Sequence, residues 1–96
     1  MFEVQKTDEF DQWLAALRDQ RAIAKIVSRI ERLAMGNAGD VKAVGAGVSE
    51  LRVDYGPGYR VYYKQVGNRI LLIPCAGDKS TQDRDIRHAK AIAAQL

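Results

Sequence analysis

Residues 50 to 79 constrain this chain more than any other stretch, because their spacing dictates how strands must pair. Tyr55-Gly56-Pro57-Gly58-Tyr59 stands between two runs in which apolar and polar side chains alternate, the pattern of a turn joining two half-buried strands. A loop of only Gly56, Pro57 and Gly58 sets Tyr55 opposite Tyr59. It then pairs Val53 with Val61 and Leu51 with Tyr63 on one face, and Asp54 with Arg60, Arg52 with Tyr62 and Glu50 with Lys64 on the other. A loop one residue longer would set Val53 beside Arg60 and mix both faces, since a one-residue slip turns every side chain over.

The second turn, Val66-Gly67-Asn68-Arg69, suits a type II′ hairpin with Gly67 in its first central position. It places Lys64 opposite Leu71, Tyr62 opposite Ile73 and Arg60 opposite Cys75. One face of the resulting sheet carries Arg52, Arg60, Tyr62, Lys64 and Lys79, while the other is apolar and must be covered. The third strand, Ile70 to Cys75, is apolar on both faces and belongs inside the sheet or under cover on both sides. Pro74 cannot donate to a ladder, so a bulge or a non-donating position is expected there.

At 96 residues the chain has room for one core, and it reads as one domain, 1–96. The formal charge is +3. Between Arg52 and Lys79 five cations (Arg52, Arg60, Lys64, Arg69, Lys79) meet two acids (Asp54, Asp78), so this stretch holds the whole excess. A positive sheet face favours a polyanionic partner. The competing account is a solvated face laced by Asp54–Arg60 and Glu50–Lys64 pairs. No apolar run of spanning length and no export signal are apparent, and the single Cys75 fits a reducing, cytoplasmic setting as a small buried side chain.

Phe2 to Gln5 reads as a short first strand. Thr7 is an N-cap candidate, and Phe10, Trp13, Leu14 and Leu17 recur at helical spacing to about Arg18, with Trp13 as a core anchor. Asp19 caps a second helix whose stripe is Ala22, Ile23, Ile26, Val27, Ile30, Leu33 and Ala34. Arg21, Lys25, Arg29 and Arg32 lie off that stripe on a solvated face. The short connection implies an antiparallel helical hairpin. Gly36 to Gly47, with four glycines, reads as a mobile loop; Gly45-Ala46-Gly47 is no phosphate loop, because no Lys-Ser/Thr and no helix follow. A last helix begins with Ser80 as N-cap, carries Ile86, Ala89, Ala93 and Leu96 inward, and leaves His88 in solvent. The order is β-α-α-β-β-β-α: an α+β domain with a helical hairpin packed on a mainly antiparallel sheet.

Three separated motifs carry a resemblance: Gly47-Val48-Ser49-Glu50-Leu51-Arg52; Tyr55-Gly56-Pro57-Gly58-Tyr59-Arg60-Val61-Tyr62-Tyr63; and Gly77-Asp78-Lys79-Ser80-Thr81-Gln82 with Asp85-Ile86. Together they resemble the RelE/HigB-like toxins of bacterial toxin–antitoxin modules, in the addiction module killer protein branch. The resemblance implies a small RelE/ParE-like domain acting as a ribosome-dependent, metal-independent mRNA endonuclease with no cofactor. In that chemistry the ribose 2′-hydroxyl attacks the adjacent phosphate, leaving a cyclic phosphate and a free 5′-hydroxyl, and cations meet the developing charge.

Carried onto this chain, the resemblance implies Arg60, Lys79 and Tyr62 as catalytic residues. Arg60 stabilises the phosphate, Lys79 stabilises charge or donates a proton, and Tyr62 donates a hydrogen bond or stacks on a base. Arg52, Lys64 and Arg69 are implied as RNA-binding, with Lys64 also a candidate base. The implied partners are mRNA on the ribosome and a cognate helix-turn-helix antitoxin, through which alone DNA would be met. Two alternatives stay open: a ParE-like toxin that binds gyrase without nuclease activity, and an inactive member that only partners an antitoxin. The chain departs from the branch in having Pro74 and Ala76-Gly77 where a continuous apolar strand and two glycines are usual, and in offering only His88 near its end.

Overall fold

The computed structural model describes residues 2–95; for residues 71–76 it describes the backbone alone. The elements run β1 (Glu3–Lys6), α1 (Asp8–Ala16), α2 (Gln20–Ala34), β2 (Val41–Gly45), β3 (Val48–Val53), β4 (Tyr59–Val66), β5 (Arg69–Gly77), a 3-10 turn (Lys79–Thr81) and α3 (Gln82–Ala93). They form an α+β fold with a five-stranded mixed sheet in the order β1-β5-β4-β3-β2. β1 pairs in parallel with β5, and the remaining pairs are antiparallel. The doubly apolar β5 therefore lies inside the sheet, and α1 and α3 both pack on it.

Local capping explains where the first two helices begin. Thr7 accepts from Phe10 N at 3.2 Å and Asp19 from Arg21 N and Ala22 N at 3.0 and 3.3 Å, each satisfying amide groups that the helix leaves unpaired. Phe10, Ile26, Ile30 and Leu33 of α1 and α2 pack on Leu51, Val53, Val61, Tyr63 and Ile70 of the sheet. Each large aliphatic side chain buried there contributes about 1.5–3 kcal/mol. Trp13 packs at the margin of this core, edge-on to Tyr59 with ring centroids 6.1 Å apart. The opposite face is covered by α3, where Val48 and Tyr62 meet Ala89 and Ala93. Small residues one turn apart let the helix backbone come down onto the tyrosine ring. β1, α1 and α2 leave an apolar cleft of about 340 Å³ between them, walled by Val4, Phe10, Leu14, Val27 and Ile30 among others.

The expected three-residue Gly-Pro-Gly loop is not the one formed. Val53 faces Tyr59, Arg52 faces Arg60, Leu51 faces Val61 and Glu50 faces Tyr62, a two-residue slip from the expected register. An even slip keeps every side chain on its expected face, so the alternation was read correctly and the partners were not. The cause lies outside the hairpin. Tyr55 is drawn from the ladder toward the start of α2, where its hydroxyl donates to Asp19 Oδ2 at 3.0 Å and Lys25 Nζ lies 5.4 Å from its ring centroid. The turn then closes through Gly58 N to Tyr55 O at 3.1 Å.

At the second hairpin, Lys64 does face Leu71, and Gly67 takes φ +59° while Asn68 stays outside the left-handed region, as a type II′ turn requires. Further along, the β4–β5 ladder shifts between Val61 and Tyr63, opposite the segment that holds Pro74. This is the expected bulge, and it moves the register beyond it: Arg60 faces Gly77 rather than Cys75. The burial expected of the Cys75 side chain lies outside the described residues.

Two further expectations are corrected. The glycine-rich 36–47 segment is not a loop throughout: Val41–Gly45 forms β2 on the sheet edge, and the turn after it holds Ala46 at φ 57°. Ser80 does not cap the last helix. Asp78 caps the 3-10 turn by accepting from Ser80 N at 2.8 Å, and α3 starts only at Gln82. Among the described residues no helix is long and apolar enough to cross a membrane.

Candidate functional site

β3 and β4 carry Glu50, Arg52, Arg60 and Tyr62 on the α3 side of the sheet, and Glu50 lies at the middle of them, fully buried. Its carboxylate accepts from Arg52 Nε at 3.1 Å, from the Tyr62 hydroxyl at 3.0 Å and from Gln82 Nε2 at 2.9 Å. Arg60 Nε stands 3.7 Å from Glu50 Oε1, within ion-pair range but without a hydrogen bond. Burial by itself pushes the Glu50 carboxyl up. The three donors and the Arg60 charge outweigh it and hold the group below the ordinary glutamate range.

Above this cluster opens a groove of about 300 Å³ lined by Asp40, Arg52, Asp54, Arg60, Lys79 and the Gly56-Pro57-Gly58 loop. Lys79 reaches it from the turn after β5, its methylene stem passing within 3.3 Å of where a side chain on Gly58 would begin. Arg60, Arg52 and Lys79 thus come from three elements to one groove. Their settings differ: Arg60 is 8% exposed, Arg52 is half-buried and Lys79 lies in solvent. Counting the buried Glu50, three cations meet three carboxylates (Glu50, Asp40, Asp54), so the groove is formally neutral.

The other sequence-derived site residues are placed elsewhere. Tyr62 is fully buried beneath α3 with its hydroxyl donated to Glu50, so it has no surface on which a base would stack. Lys64 donates to Ala93 O at 3.4 Å, a cation on the last carbonyls of α3, and points away from the groove. Arg69 is exposed in the β4–β5 hairpin, next to the turn at Gly67 and Asn68. The expected Asp54–Arg60 and Glu50–Lys64 pairs are replaced by Glu50 with Arg60 and Arg52, because of the two-residue slip.

Four contributors have roles that the sequence does not announce. Gln82 completes the Glu50 cluster from α3, a contact with no local sequence signal. Arg29, read as part of a solvated face, instead donates to Arg52 O at 2.6 Å, Ala38 O at 3.0 Å and Asp40 O at 3.3 Å, tying α2 to both walls of the groove. Thr81 and Asp85 are hydrogen-bonded to each other against Gly77, where even a methyl group would collide with both side chains. That close approach explains a glycine opposite Arg60. His88 is exposed, 3.6 Å from Glu9. Among the described residues no three His, Cys, Asp or Glu side chains are grouped to hold a metal ion.

Comparison with known proteins finds a relative in Haemophilus influenzae (strain ATCC 51907 / DSM 11121 / KW20 / Rd), described as an uncharacterized protein. The two are 50% identical over 94 residues, covering 98% of this chain and 95% of the relative. No protein-family model matches the chain, and no solved structure matches it significantly.

Proposed function

The chain belongs to one family with that Haemophilus influenzae protein, and we propose that it is a RelE/HigB-like toxin of a toxin–antitoxin module, with RelE/ParE-like topology, that cuts mRNA on the ribosome. The observation that carries this reading is the convergence of Arg52, Arg60 and Lys79 on one groove under the Gly56-Pro57-Gly58 loop. A phosphate in that groove would meet two guanidinium groups and one exposed amine, the charge pattern that 2′-hydroxyl attack calls for. Arg60 and Arg52 then bear on the phosphate, and Lys79, exposed, meets the developing charge or the leaving 5′ oxygen. Tyr62 acts one layer below, by holding Glu50. The partners are mRNA on the ribosome and a cognate antitoxin in the cytoplasm.

One observation favours a second reading. Arg60 is buried and already opposed by Glu50, which suits a structural arginine in a toxin that binds a protein such as gyrase and performs no chemistry. Primer extension on transcripts from cells expressing the chain separates the two. In-frame cuts that disappear in Lys79→Ala support the nuclease. Intact transcripts accompanied by induced DNA damage support the gyrase-binding reading. Lys79 is the residue of choice because it is exposed, so its removal leaves the fold in place.

A further inference from the structure

The groove's neutrality leaves open where a polyanion would gain its affinity, and the charge lies next door. Beside the groove is a hollow of about 330 Å³ lined by Lys79, Ser80, Asp83, Arg84 and Arg87 with neighbouring residues of the turn. Lys79 belongs to both walls. Counted as the groove was, with the carboxylate that pairs with a lining arginine, three cations against Asp83 and Asp85 give this hollow a formal charge of +1, where the groove has none. Arg84 and Arg87, three residues apart, share one side of α3. Arg87 is exposed and in no ion pair among the described residues; Arg84 has a 73% exposed side chain and only a 3.8 Å approach to Asp85, which holds it weakly.

We propose that this hollow is a second phosphate subsite, and that a single-stranded RNA runs from the groove across Lys79 onto the first turns of α3. The inference rests on the reading of the groove as an RNA site and names where the strand continues. A lone small anion would fill one hollow and leave the shared cation unexplained, whereas a chain of regularly spaced phosphates fills both. The wall between strand and sheet is the Gly56-Pro57-Gly58 loop, which has no long side chain to keep a sugar away. Exposed guanidinium groups match phosphate oxygens in pairs. Affinity then comes from the positive hollow, while the neutral groove aligns one phosphate.

The test is the salt dependence of binding, measured by fluorescence anisotropy with a labelled single-stranded RNA oligonucleotide and the full chain. Arg84→Gln with Arg87→Gln removes two phosphate contacts, and the slope of log affinity against log salt becomes shallower by about 1.4. Lys6→Gln with Arg18→Gln removes the same charge from exposed positions that line neither hollow and leaves the slope unchanged. The subsite is overturned if the wild-type chain shows no salt-dependent binding, if the arginine variant keeps the wild-type slope, or if the control pair lowers it equally. It is also overturned as an RNA site if polyglutamate of matched charge competes as well as RNA. Transcript cutting in cells is read separately: its absence defeats the nuclease while a changed slope keeps the subsite, and its persistence beside an unchanged slope does the reverse.

Discussion

Glu50→Ala is the substitution that bears hardest on this architecture. The carboxylate is fully buried and accepts from Arg52, Tyr62 and Gln82, with Arg60 Nε 3.7 Å away. Removing one partner of a buried ion pair strands the other in a poor solvent for charge and costs about 3–5 kcal/mol. Domains of this size hold about 5–15 kcal/mol in all. Each kcal/mol moves the melting temperature by about 4–8 °C at this length, so a fall of about 12–40 °C is expected. Glu50→Gln keeps the shape and loses the charge, and the loss is nearer 1.5–3 kcal/mol, the worth of a hydrogen bond to an ionised group.

The pH dependence separates charge from packing. The folded-state value of Glu50 lies below its ordinary 4.5, so its ionised form stabilises the fold fully above 4.5. That contribution is lost as pH falls below 4.5 and through the lower folded value, where the wild-type carboxyl takes up its proton. Thermal melts of wild type and Glu50→Gln should therefore differ at neutral pH and converge in acid. An equal gap at both ends of the series, or no gap at neutral pH, would refute the account of Glu50 as the charged centre of the site.

Gly77→Ala pushes a methyl group into Thr81 and Asp85, and a loss of about 1–3 kcal/mol in urea unfolding is expected from the overpacking. Leu51→Ala empties a fully buried position under α2 and costs about 2–5 kcal/mol by the same assay. Thr7→Ala removes the cap of α1 and costs about 1 kcal/mol, read as a small drop in melting temperature. Lys79→Ala is expected to leave unfolding within about 0.5 kcal/mol of wild type and, on the nuclease reading, to abolish transcript cutting, which primer extension checks.

Much was legible in the order of residues alone. Alternation in β3 and β4 sorted Leu51, Val53, Val61 and Tyr63 from Glu50, Arg52, Arg60 and Tyr62, and the structure keeps that sorting, since it depends only on the two-residue period of a strand. Thr7 and Asp19 announced their helices because a cap acts within three residues of itself. Pro74 announced a break in the ladder because it has no amide hydrogen to give. Tertiary contacts decided which partner each side chain received. Tyr55 leaves its expected place to bond Asp19, thirty-six residues earlier, and the hairpin slips by two. That slip, with α3 laying Gln82 over the strands, makes Glu50 the anionic centre of an expected cationic face and puts Tyr62 under cover. Local spacing can say which way a side chain points; only the packing of distant elements says what it meets there, because burial and charge pairing are properties of the assembled surface.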